Sequence, residues 1–322
     1  MPNPVPLARI VRSGVVESVH LGSVVVVDPE GRQLVSAGDA DRPTFLRSTA
    51  KPLQAAASLH RAGLRLSDEE VAVMAASHNA DPPHLEAVWS ILERAGLSEE
   101  ALGCPPGRPL DPDPSRAVEP PARILHNCSG KHAGMLLACV RRGDDRSGYL
   151  DPGHPLQREI RGLIEHAAGG PYQAEGIDGC GAPVGVLPLR GLATAFARLA
   201  TPAALGEHGD AAATVVAAMR AAPSLVAGRG RVCTALMQCG DAVVAKVGAE
   251  GVAAAVLVDR ELGVAVRVED GASRARDAAL VHALGLLDAV EPADRRLRSF
   301  HRPAVLGGGR PVGGLEPVFE LS

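Results

Sequence analysis

The sequence predicts a protein of the α/β class built around an antiparallel sheet. Three short apolar runs follow one another with brief polar breaks, from Ala242 to Val247, from Val252 to Val258 and from Gly263 to Val268. Their length and their content of Val are typical of neighbouring antiparallel strands. The next residues, Gly271 to Leu287, are rich in Ala and long enough for a helix that packs on this sheet. Strands and helices are therefore expected to share one core.

The other elements are predicted in chain order. An N-terminal β-hairpin is expected from Ser18 to Val26 and from Gln33 to Ser36, because Asp28-Pro-Glu-Gly31 between the two runs is typical of a turn. Three further helices are predicted. One begins near Ser48, and helical spacing predicts the other two from Leu156 to Ala168 and from Ala211 to Met219.

Length and composition bound the domain organisation. The chain has 322 residues, of which 46% are hydrophobic and 22% charged, so it can bury a large core. Seven prolines between Pro105 and Pro121 predict an exposed loop rather than a domain linker. There is no internal repeat. We expect residues 1–322 to form a single domain of one or two closely packed lobes.

Composition also excludes several classes of function. A formal charge of -4 and an aromatic content of 2% provide neither a basic surface nor a stacking platform for nucleic acid. No apolar run approaches the roughly 18 residues that span a membrane, and the N-terminus lacks the pattern of a signal peptide. The six cysteines fit a reducing compartment better than a disulfide framework. A cytoplasmic protein without nucleic-acid or membrane partners is predicted.

The pair Ser48 and Lys51 is the first candidate for chemistry. Residues three apart lie on one face of a helix, close enough to share a proton. Pro52 indicates where the helix begins, because proline is tolerated only in the first turn. Ser48 is therefore expected at the helix N-terminus, where backbone N–H groups favour negative charge. A serine needs a base, and Lys51 serves only as the neutral amine, so its pKa must fall from about 10.4.

Two further motifs follow in order. Ser77-His-Asn79 ends an apolar run, and Lys246-Val-Gly248 follows a strand-like segment. Lys246 supplies a second charge that would help Lys51 to lose its proton, and Gly248 lets the backbone approach a substrate. The order Ser-x-x-Lys, Ser-x-Asn and Lys-x-Gly resembles that of serine acyl enzymes related to penicillin-binding proteins and class A β-lactamases, in which one serine attacks an amide. An amidohydrolase is predicted.

Each of these motifs also has a purely structural interpretation. Most Ser-x-x-Lys pairs lie on solvated helix faces, and Ser77 could belong to a helix C-terminus with a satisfied turn. The order of the three motifs and the position of Pro52 favour the catalytic interpretation.

A second constellation combines Cys128, Lys131 and His132 with Asp178 and Cys180. Two cysteines in glycine-containing polar loops are compatible with a thiolate-rich metal site or a reactive-thiol pocket. A lysine three residues after Cys128 is an unusual ligand, since it must first lose its proton. From the residues alone, buried structural cysteines are as good an interpretation as metal ligands.

Five segments together resemble the L-asparaginases of the rhizobial type, also called the asparaginase II family. The resemblance covers nearly the whole chain, from Val16 to Gly309. The segments are Arg47-Ser-Thr-Ala-Lys-Pro-Leu-Gln54, Ser77-His-Asn-Ala80, His126-Asn-Cys-Ser-Gly-Lys-His-Ala-Gly-Met135, Asp178-Gly-Cys-Gly-Ala-Pro183 and Lys246-Val-Gly-Ala-Glu-Gly251.

The resemblance implies a fold similar to serine β-lactamases and glutaminases, in which a mainly helical lobe accompanies the sheet, and a homodimer. It implies Ser48 as nucleophile and Lys51 as its base, with Ser77 and Lys246 as a supporting pair. It also implies a zinc ion held by Cys128, Lys131 and Cys180. Three protein ligands leave a fourth tetrahedral position open. Asp178, two residues before Cys180, is expected to accept a hydrogen bond from a ligand and so hold it in place.

Six residues are expected to bind substrate. Arg47 is a candidate for holding a substrate carboxylate, although an arginine before a helix often pairs on the surface. Cys233 departs from the family pattern and is expected to be a small buried residue rather than an active thiol. The substrate-binding set implied by the motifs is Arg47, His78, Asn79, Gly130, His132 and Gly248.

The sequence thus predicts hydrolysis of L-asparagine to L-aspartate and ammonia through a seryl acyl-enzyme. A glutaminase or a peptide amidase is the nearest alternative, since one methylene discriminates substrates by only about 1–3 kcal/mol. A zinc-dependent amino-acid-binding protein without turnover is a third possibility. The intact set of two serines and two lysines argues against it, because a binding protein needs no neutral lysine.

Overall fold

The computed structural model describes residues 3–110, 120–240 and 242–322. Eleven strands lie in this part of the chain, and the long-range pairing between them is antiparallel. They are β1 (Val5–Arg12), β2 (Val15–Val27), β3 (Gln33–Ala37), β4 (Pro43–Phe45), β5 (Ala174–Ile177), β6 (Pro183–Pro188), β7 (Val243–Val247), β8 (Val252–Leu257), β9 (Leu262–Val268), β10 (Ala304–Gly307) and β11 (Arg310–Pro317).

The main sheet has eight strands in the order β10-β11-β1-β2-β9-β8-β7, with β3 paired to β2. The predicted hairpin is confirmed as β2 and β3, with Val24 opposite Ala37. The three predicted C-terminal strands are confirmed as β7, β8 and β9, which pair as neighbours. Both faces of β8 are buried, so its residues are apolar without alternation.

The helices divide between the sheet and a separate lobe. In the described residues they are α1 (Lys51–Ala62), α2 (Asp68–Met74), α3 (Pro82–Arg94), α4 (Ser129–Arg142), α5 (Pro155–Ala168), α6 (Leu189–Leu199), α7 (Gly209–Ala221), α8 (Pro223–Val226), α9 (Val232–Cys239), α10 (Ser273–Leu286) and α11 (Arg298–His301). The predicted helices at 156–168, 211–219 and 271–287 are confirmed as α5, α7 and α10.

Helices α6 and α10 pack on the main sheet, and α6 lies so close to β9 that a Cβ on Gly263 would be 1.9 Å from Ala193 O. The remaining large helices gather around α1, which contacts α2, α4, α5 and α7. Buried alanines at positions 55, 56 and 57 allow this close approach. The predicted class is confirmed: an antiparallel sheet flanked by helices, with a mainly helical lobe.

The junction between the lobe and the sheet is where the candidate motifs meet. A short 3₁₀ helix, Arg47–Ala50, contacts β6, β7 and β8 and runs directly into α1. Pro52 lies in the first turn of α1, as predicted. The chain enters the central helix of the lobe from the sheet, so Ser48 and Lys51 are held between the two.

Two predictions concern regions described only in part. Residues 105–110 and 120–121 of the proline-rich stretch form neither helix nor strand, apart from an isolated bridge between Gly107 and Ala122, while 111–119 lie outside the described residues. Asp241, the residue before the predicted strand Ala242 to Val247, also lies outside them. No helix in the described part of the chain is long and apolar enough to cross a membrane.

Candidate active site

A cavity of about 310 Å³ opens at the junction of the lobe and the sheet. It brings together side chains from all five of the motifs found in the sequence. The lining residues are Arg47, Ser48, Ser77, Leu110, His126, Asn127, Cys128, Asp178, Gly179, Cys180, Arg231, Val247, Gly248, Ala249 and Arg276.

Ser48 lies in the 3₁₀ turn before α1 and is partly exposed to the cavity. Among the described residues, neither its hydroxyl nor its N–H has a hydrogen-bond partner. The preceding Arg47 adopts φ 48°, a conformation that non-glycine residues rarely hold without support. Its guanidinium donates a hydrogen bond of 2.7 Å to Asp178 Oδ1, which provides that support. Ser48 is therefore presented to the cavity with a free hydroxyl.

Two buried lysines share the hydroxyl of Ser77. Lys51 Nζ and Lys246 Nζ each lie 2.9 Å from Ser77 Oγ. Each amine also donates to a backbone carbonyl, Lys51 to Ala76 O at 2.5 Å and Lys246 to Val247 O at 2.8 Å. Both lysines are 0% exposed. Lys51, Lys246 and Ser77 thus form one hydrogen-bonded group. Ser48 lines the cavity together with Ser77, and in the described residues it has no hydrogen bond to Lys51, the partner predicted from the sequence.

The positive charge of Lys246 is destabilised at this position. The pKa of Lys246 falls from 10.5 to about 7. Burial is the largest cause, the charges of Lys51 and Arg231 act in the same direction, and Cys233 opposes the shift. Since one amine of the pair can be neutral near pH 7, the cluster is able to accept a proton. The sequence predicts a depressed pKa for Lys51, and the depressed pKa found in the structure is that of Lys246.

All the lysines of the chain belong to this site. The sequence holds only three, at positions 51, 131 and 246, and every other member of the 33 lysines and arginines is an arginine. All three are buried, at 0%, 3% and 0% exposure. An arginine remains charged at any physiological pH, whereas a lysine amine can lose its proton. The chain therefore places its deprotonatable amines in one location.

His78 and Asn79 lie behind the cavity. His78 is fully buried, and its Nε2 lies 2.9 Å from Ser129 Oγ while its Nδ1 accepts from the Ala80 N–H. Burial lowers the pKa of His78 well below its ordinary value, so the ring is neutral. Asn79 Oδ1 accepts a hydrogen bond of 3.0 Å from Arg231 Nη1. Both residues were predicted to bind substrate, and the structure gives them supporting positions.

Gly130 and His132 also lie away from the cavity wall. A Cβ on Gly130 would lie 2.3 Å from Val73 O, so this glycine allows α4 to pack on α2. His132 is fully buried and its Nδ1 lies 2.6 Å from the hydroxyl of Tyr149. Neither residue lines the cavity, although both were predicted to bind substrate.

Gly248, in contrast, lies on the cavity wall as predicted. A Cβ at this position would lie 3.3 Å from Leu46 O and 3.4 Å from Ser48 N. Its own carbonyl accepts a hydrogen bond of 2.7 Å from Arg276 Nη1. The glycine keeps the space in front of the Ser48 N–H open to a ligand. The next residue, Ala249, also lines the cavity, and its N–H has no partner among the described residues.

The sulfur-containing constellation forms one side of the cavity. Lys131 Nζ donates a hydrogen bond of 3.0 Å to Cys180 Sγ, and all three candidate ligands are buried. A hydrogen bond with Cys180, aided by the charges of Lys51 and Lys131, lowers the pKa of the Cys128 thiol well below its ordinary value despite burial. Burial alone would lower the pKa of Lys131, but the charges of Cys180 and Cys128 raise it. The lowered pKa of Cys128 and the raised pKa of Lys131 show that these two charged forms support each other.

These residues fit a zinc ion by their donor chemistry. Two cysteine sulfurs and an amine are ligands that zinc accepts once they are deprotonated. His132 Nε2 is a buried nitrogen without a hydrogen-bond partner in the described part of the chain, and its ring interacts with Cys180. A buried nitrogen without a partner beside a cysteine sulfur is the kind of group that a bound metal would satisfy.

Two cavity residues were not found by the sequence interpretation as ligand-binding groups. Arg231 lines the cavity and is oriented by Asn79, while Arg276 is bound to Gly248 O and to Asp277 at 2.6 Å. Arg231 lies in the loop Gly228-Arg-Gly-Arg231, and Arg276 in an Ala-rich helix. Neither setting has a motif that distinguishes a cavity arginine from a surface one.

The electrostatics of the cavity are of mixed sign. Burial raises the pKa of Asp178, but the hydrogen bond from Arg47 and the charge of Lys131 more than compensate, so the pKa lies below its ordinary value. The carboxylate is ionised near neutral pH and lines the same cavity as the guanidinium of Arg231. The cavity therefore presents a negative and a positive group beside Ser48.

Cys233, fully buried, accepts a hydrogen bond of 3.3 Å from Val247 N through its sulfur, as expected for a structural residue.

Comparison with known proteins gives one family and two solved structures. A family model described as L-asparaginase II matches residues 8–317. A search of curated proteins found no significant match. The structure is similar to that of a β-lactamase (Mb2281c) from Mycobacterium bovis, with 18% identity over 90% of this chain and 97% of that chain and a TM-score of 0.41. It is also similar to Mglu in its native form in 4.3 M NaCl, with 17% identity, 86% and 61% coverage and a TM-score of 0.37. This chain thus spans less than two thirds of Mglu, and neither similarity assigns an activity.

The depressed pKa of Lys246 predicts a pH-dependent cost in stability. Between the folded pKa of about 7 and the ordinary value of 10.5, the unfolded chain binds more protons, so stability rises with pH. Lys246→Met, which keeps the volume, should stabilise the protein most at pH 7 and below. This gain should shrink by up to about 1.4 kcal/mol per pH unit and level off above about pH 10.5. Denaturant unfolding of both proteins from pH 6 to 11 measures it, and a pH-independent difference would contradict the assignment.

Proposed function

Because the chain belongs to the L-asparaginase II family, we propose that it is an amidohydrolase that converts L-asparagine to L-aspartate and ammonia through an acyl-enzyme on Ser48. The observation that carries this proposal is the pair of buried lysines that share the Ser77 hydroxyl beside Ser48. Two buried amines in contact with one hydroxyl have no evident use in a purely structural core, where their desolvation costs stability.

The lysine pair supplies the base for acylation. Because Lys246 can be neutral near pH 7, a proton carried by Lys51 can pass to Ser77 as Ser77 passes its own proton to Lys246. This shift leaves Lys51 neutral at the start of α1, three residues after Ser48. Lys51 then takes the proton of the Ser48 hydroxyl as its oxygen attacks the side-chain amide carbon. The Ser77 hydroxyl thereby links both lysines into one proton reservoir.

The tetrahedral intermediate needs donors for its oxyanion. Ser48 and Ala249 line the cavity, and their N–H groups have no partner among the described residues. Gly248 leaves the space before the Ser48 N–H open. A single donor of this type typically contributes about 3 kcal/mol to transition-state stabilisation. Lys51 returns its proton to the amide nitrogen, the C–N bond breaks and ammonia leaves. Water then attacks the acyl-enzyme, Lys51 accepts its proton, and aspartate is released as Ser48 is reprotonated.

The charges of the cavity fit an amino-acid amide. Arg231 can hold the α-carboxylate of the substrate in a charge-assisted pair, and ionised Asp178 can hold the α-ammonium. Arg47, the carboxylate ligand expected from the sequence, already donates to Asp178 at 2.7 Å. We therefore assign the carboxylate to Arg231 and give Arg47 the task of positioning Asp178 and the Ser48 turn.

The zinc ion remains part of the proposal, with Cys128, Lys131 and Cys180 as its ligands. When bound, it would act as a Lewis acid and orient a ligand at its open position. Lys131 must lose a proton before it can bind zinc. Its amine already lies within hydrogen-bond distance of Cys180 Sγ, the sulfur with which it would share the ion. The homodimer implied by the resemblance stays a prediction.

Ser48→Ala should abolish turnover. Removal of a seryl nucleophile leaves no group to form the acyl-enzyme, so ammonia release from L-asparagine should fall by roughly a thousandfold or more. Ser58→Ala is the matched control: Ser58 is a buried residue of α1 that donates to Gln54 O at 2.8 Å, away from the cavity, and this variant should keep its activity. Turnover retained in Ser48→Ala but lost in Ser77→Ala would move the nucleophile to Ser77. No ammonia from L-asparagine or L-glutamine with folded wild type would contradict the function itself.

Arg231→Met should weaken recognition of the α-carboxylate. Loss of a charge-assisted hydrogen bond should lower kcat/KM for L-asparagine by roughly 10- to 100-fold. Turnover of β-alaninamide, which is L-asparagine without its α-carboxylate, should be unchanged by the substitution. Arg231→Lys should recover part of the loss, and Arg274→Met, outside the cavity, serves as a control. An equal loss for both substrates would show that Arg231 acts only through the fold.

A further inference from the structure

A second polar cluster lies at the opposite end of α1 from Lys51. His60, near the C-terminal end of that helix, meets Glu207 and His208 from the segment before α7. One donor atom from each of the three lies within 4.8 Å of the other two, and within the described ranges no other three His, Cys, Asp or Glu residues meet this distance. The two imidazole rings are 4.6 Å apart at an angle of 51°. This cluster has no part in the proposed hydrolysis.

The backbone is shaped to bring these residues together. The short 3₁₀ helix Pro202–His208 is interrupted at Gly206, which adopts φ 56° and ψ −132°. Gly209 packs against the same segment, where a Cβ would lie 2.4 Å from Pro202 O. Glu207 and His208 are thus held between two glycines and directed toward α1.

His208 is oriented by a carboxylate. Its Nε2 lies 3.2 Å from Glu159 Oε1, and the other oxygen of Glu159 accepts a hydrogen bond of 2.6 Å from Arg61. Arg61 also pairs with Asp144 at 2.6 Å, so the guanidinium that holds Glu159 is itself held in place. A carboxylate that accepts one ring N–H fixes the tautomer and leaves the other nitrogen with a lone pair, which is the arrangement found behind histidines that bind metals.

The cluster is accessible to an ion from solvent. A cavity of about 360 Å³ lies beside it and is lined in part by Glu159, Glu207 and His208. The side chain of Glu207 is 77% exposed and that of His60 29%, while that of His208 is 10% exposed. The most buried ligand is therefore the one that is held rigidly, and the exposed carboxylate is free to close on an ion.

We propose that His60, Glu207 and His208 form a second divalent-metal site, suited to Zn²⁺, that is separate from the cysteine constellation. Two imidazoles and one carboxylate are a ligand set that zinc accepts, with water in the remaining position. Zinc–ligand bonds of about 2.0–2.2 Å place donors roughly 3.4 Å apart. The three donor atoms now lie within 4.8 Å of one another, so they must draw closer together around an ion. Glu159 supports His208 in this site. The site stands independently of the proposed hydrolysis.

Zinc stoichiometry of the whole protein tests the site. Wild type and variants are dialysed to equilibrium against micromolar Zn²⁺, and bound metal is measured by mass spectrometry of the digested samples. His60→Gln should lower the stoichiometry by one per chain, and so should His208→Gln. His166→Gln is the matched control, because His166 lines the same cavity but is outside the donor set. His60 is partly exposed, so its variant should fold, as circular dichroism can verify.

A second background isolates the new site from the first. In Cys128→Ser/Cys180→Ser, Co²⁺ should still bind once per chain, without the sulfur-to-cobalt charge-transfer band. In this background, Glu159→Gln should weaken Zn²⁺ binding by roughly 10- to 100-fold, as expected for a residue that orients a ligand. An unchanged stoichiometry in His60→Gln, or no metal bound in the cysteine-free background, would show that the cluster is only a set of imidazole–carboxylate pairs and would overturn the proposal.

Discussion

The interaction on which the site depends is the sharing of the Ser77 hydroxyl by two buried ammonium-type side chains. Lys51 begins the central helix of the lobe and Lys246 belongs to β7 of the sheet, so the hydroxyl joins the two halves of the structure. Both amines are removed from water, and two full charges on one hydroxyl repel each other. Near neutral pH, the lysine pair is therefore most stable with one amine neutral rather than with both amines charged. The same desolvation that costs stability thus creates the base that a serine nucleophile requires.

The rest of the cavity follows from the need to hold these groups in place. The positive φ of Arg47 presents Ser48, Asp178 fixes Arg47, and the small residue Gly248 keeps the space before the Ser48 amide open. Helix α1 extends from this point to His60, so one rigid element carries both the Ser–Lys site and the proposed second metal site. The other members of the 33 lysines and arginines are arginines, which stay charged. The only side-chain amines that can lose a proton are therefore the three buried lysines.

Much of this arrangement could be predicted from the sequence because its signals are local. The three apolar runs predicted the ends of β7, β8 and β9 to within about one residue, and Pro52 indicated where α1 begins. The remaining features depend on packing between distant segments. His78 occupies a motif with polar neighbours but is buried against Ser129, and the cavity role of Arg231 depends on its hydrogen bond with Asn79, 152 residues away. The low pKa of Lys246 depends on burial and on neighbours such as Arg231, and the spacing of residues in the sequence indicates neither.

The protonation state of the lysine pair is the central claim, and NMR can measure it directly. The chain holds only three lysines, so protein labelled with ¹³C at lysine Cε should give three resonances, assigned with Lys246→Met. The Lys246 resonance should titrate with a pKa of about 7, and the Lys51 resonance should shift as Lys246 titrates, because the two amines share Ser77 Oγ. Titration of Lys246 at the ordinary value, with no change near pH 7, would contradict the account.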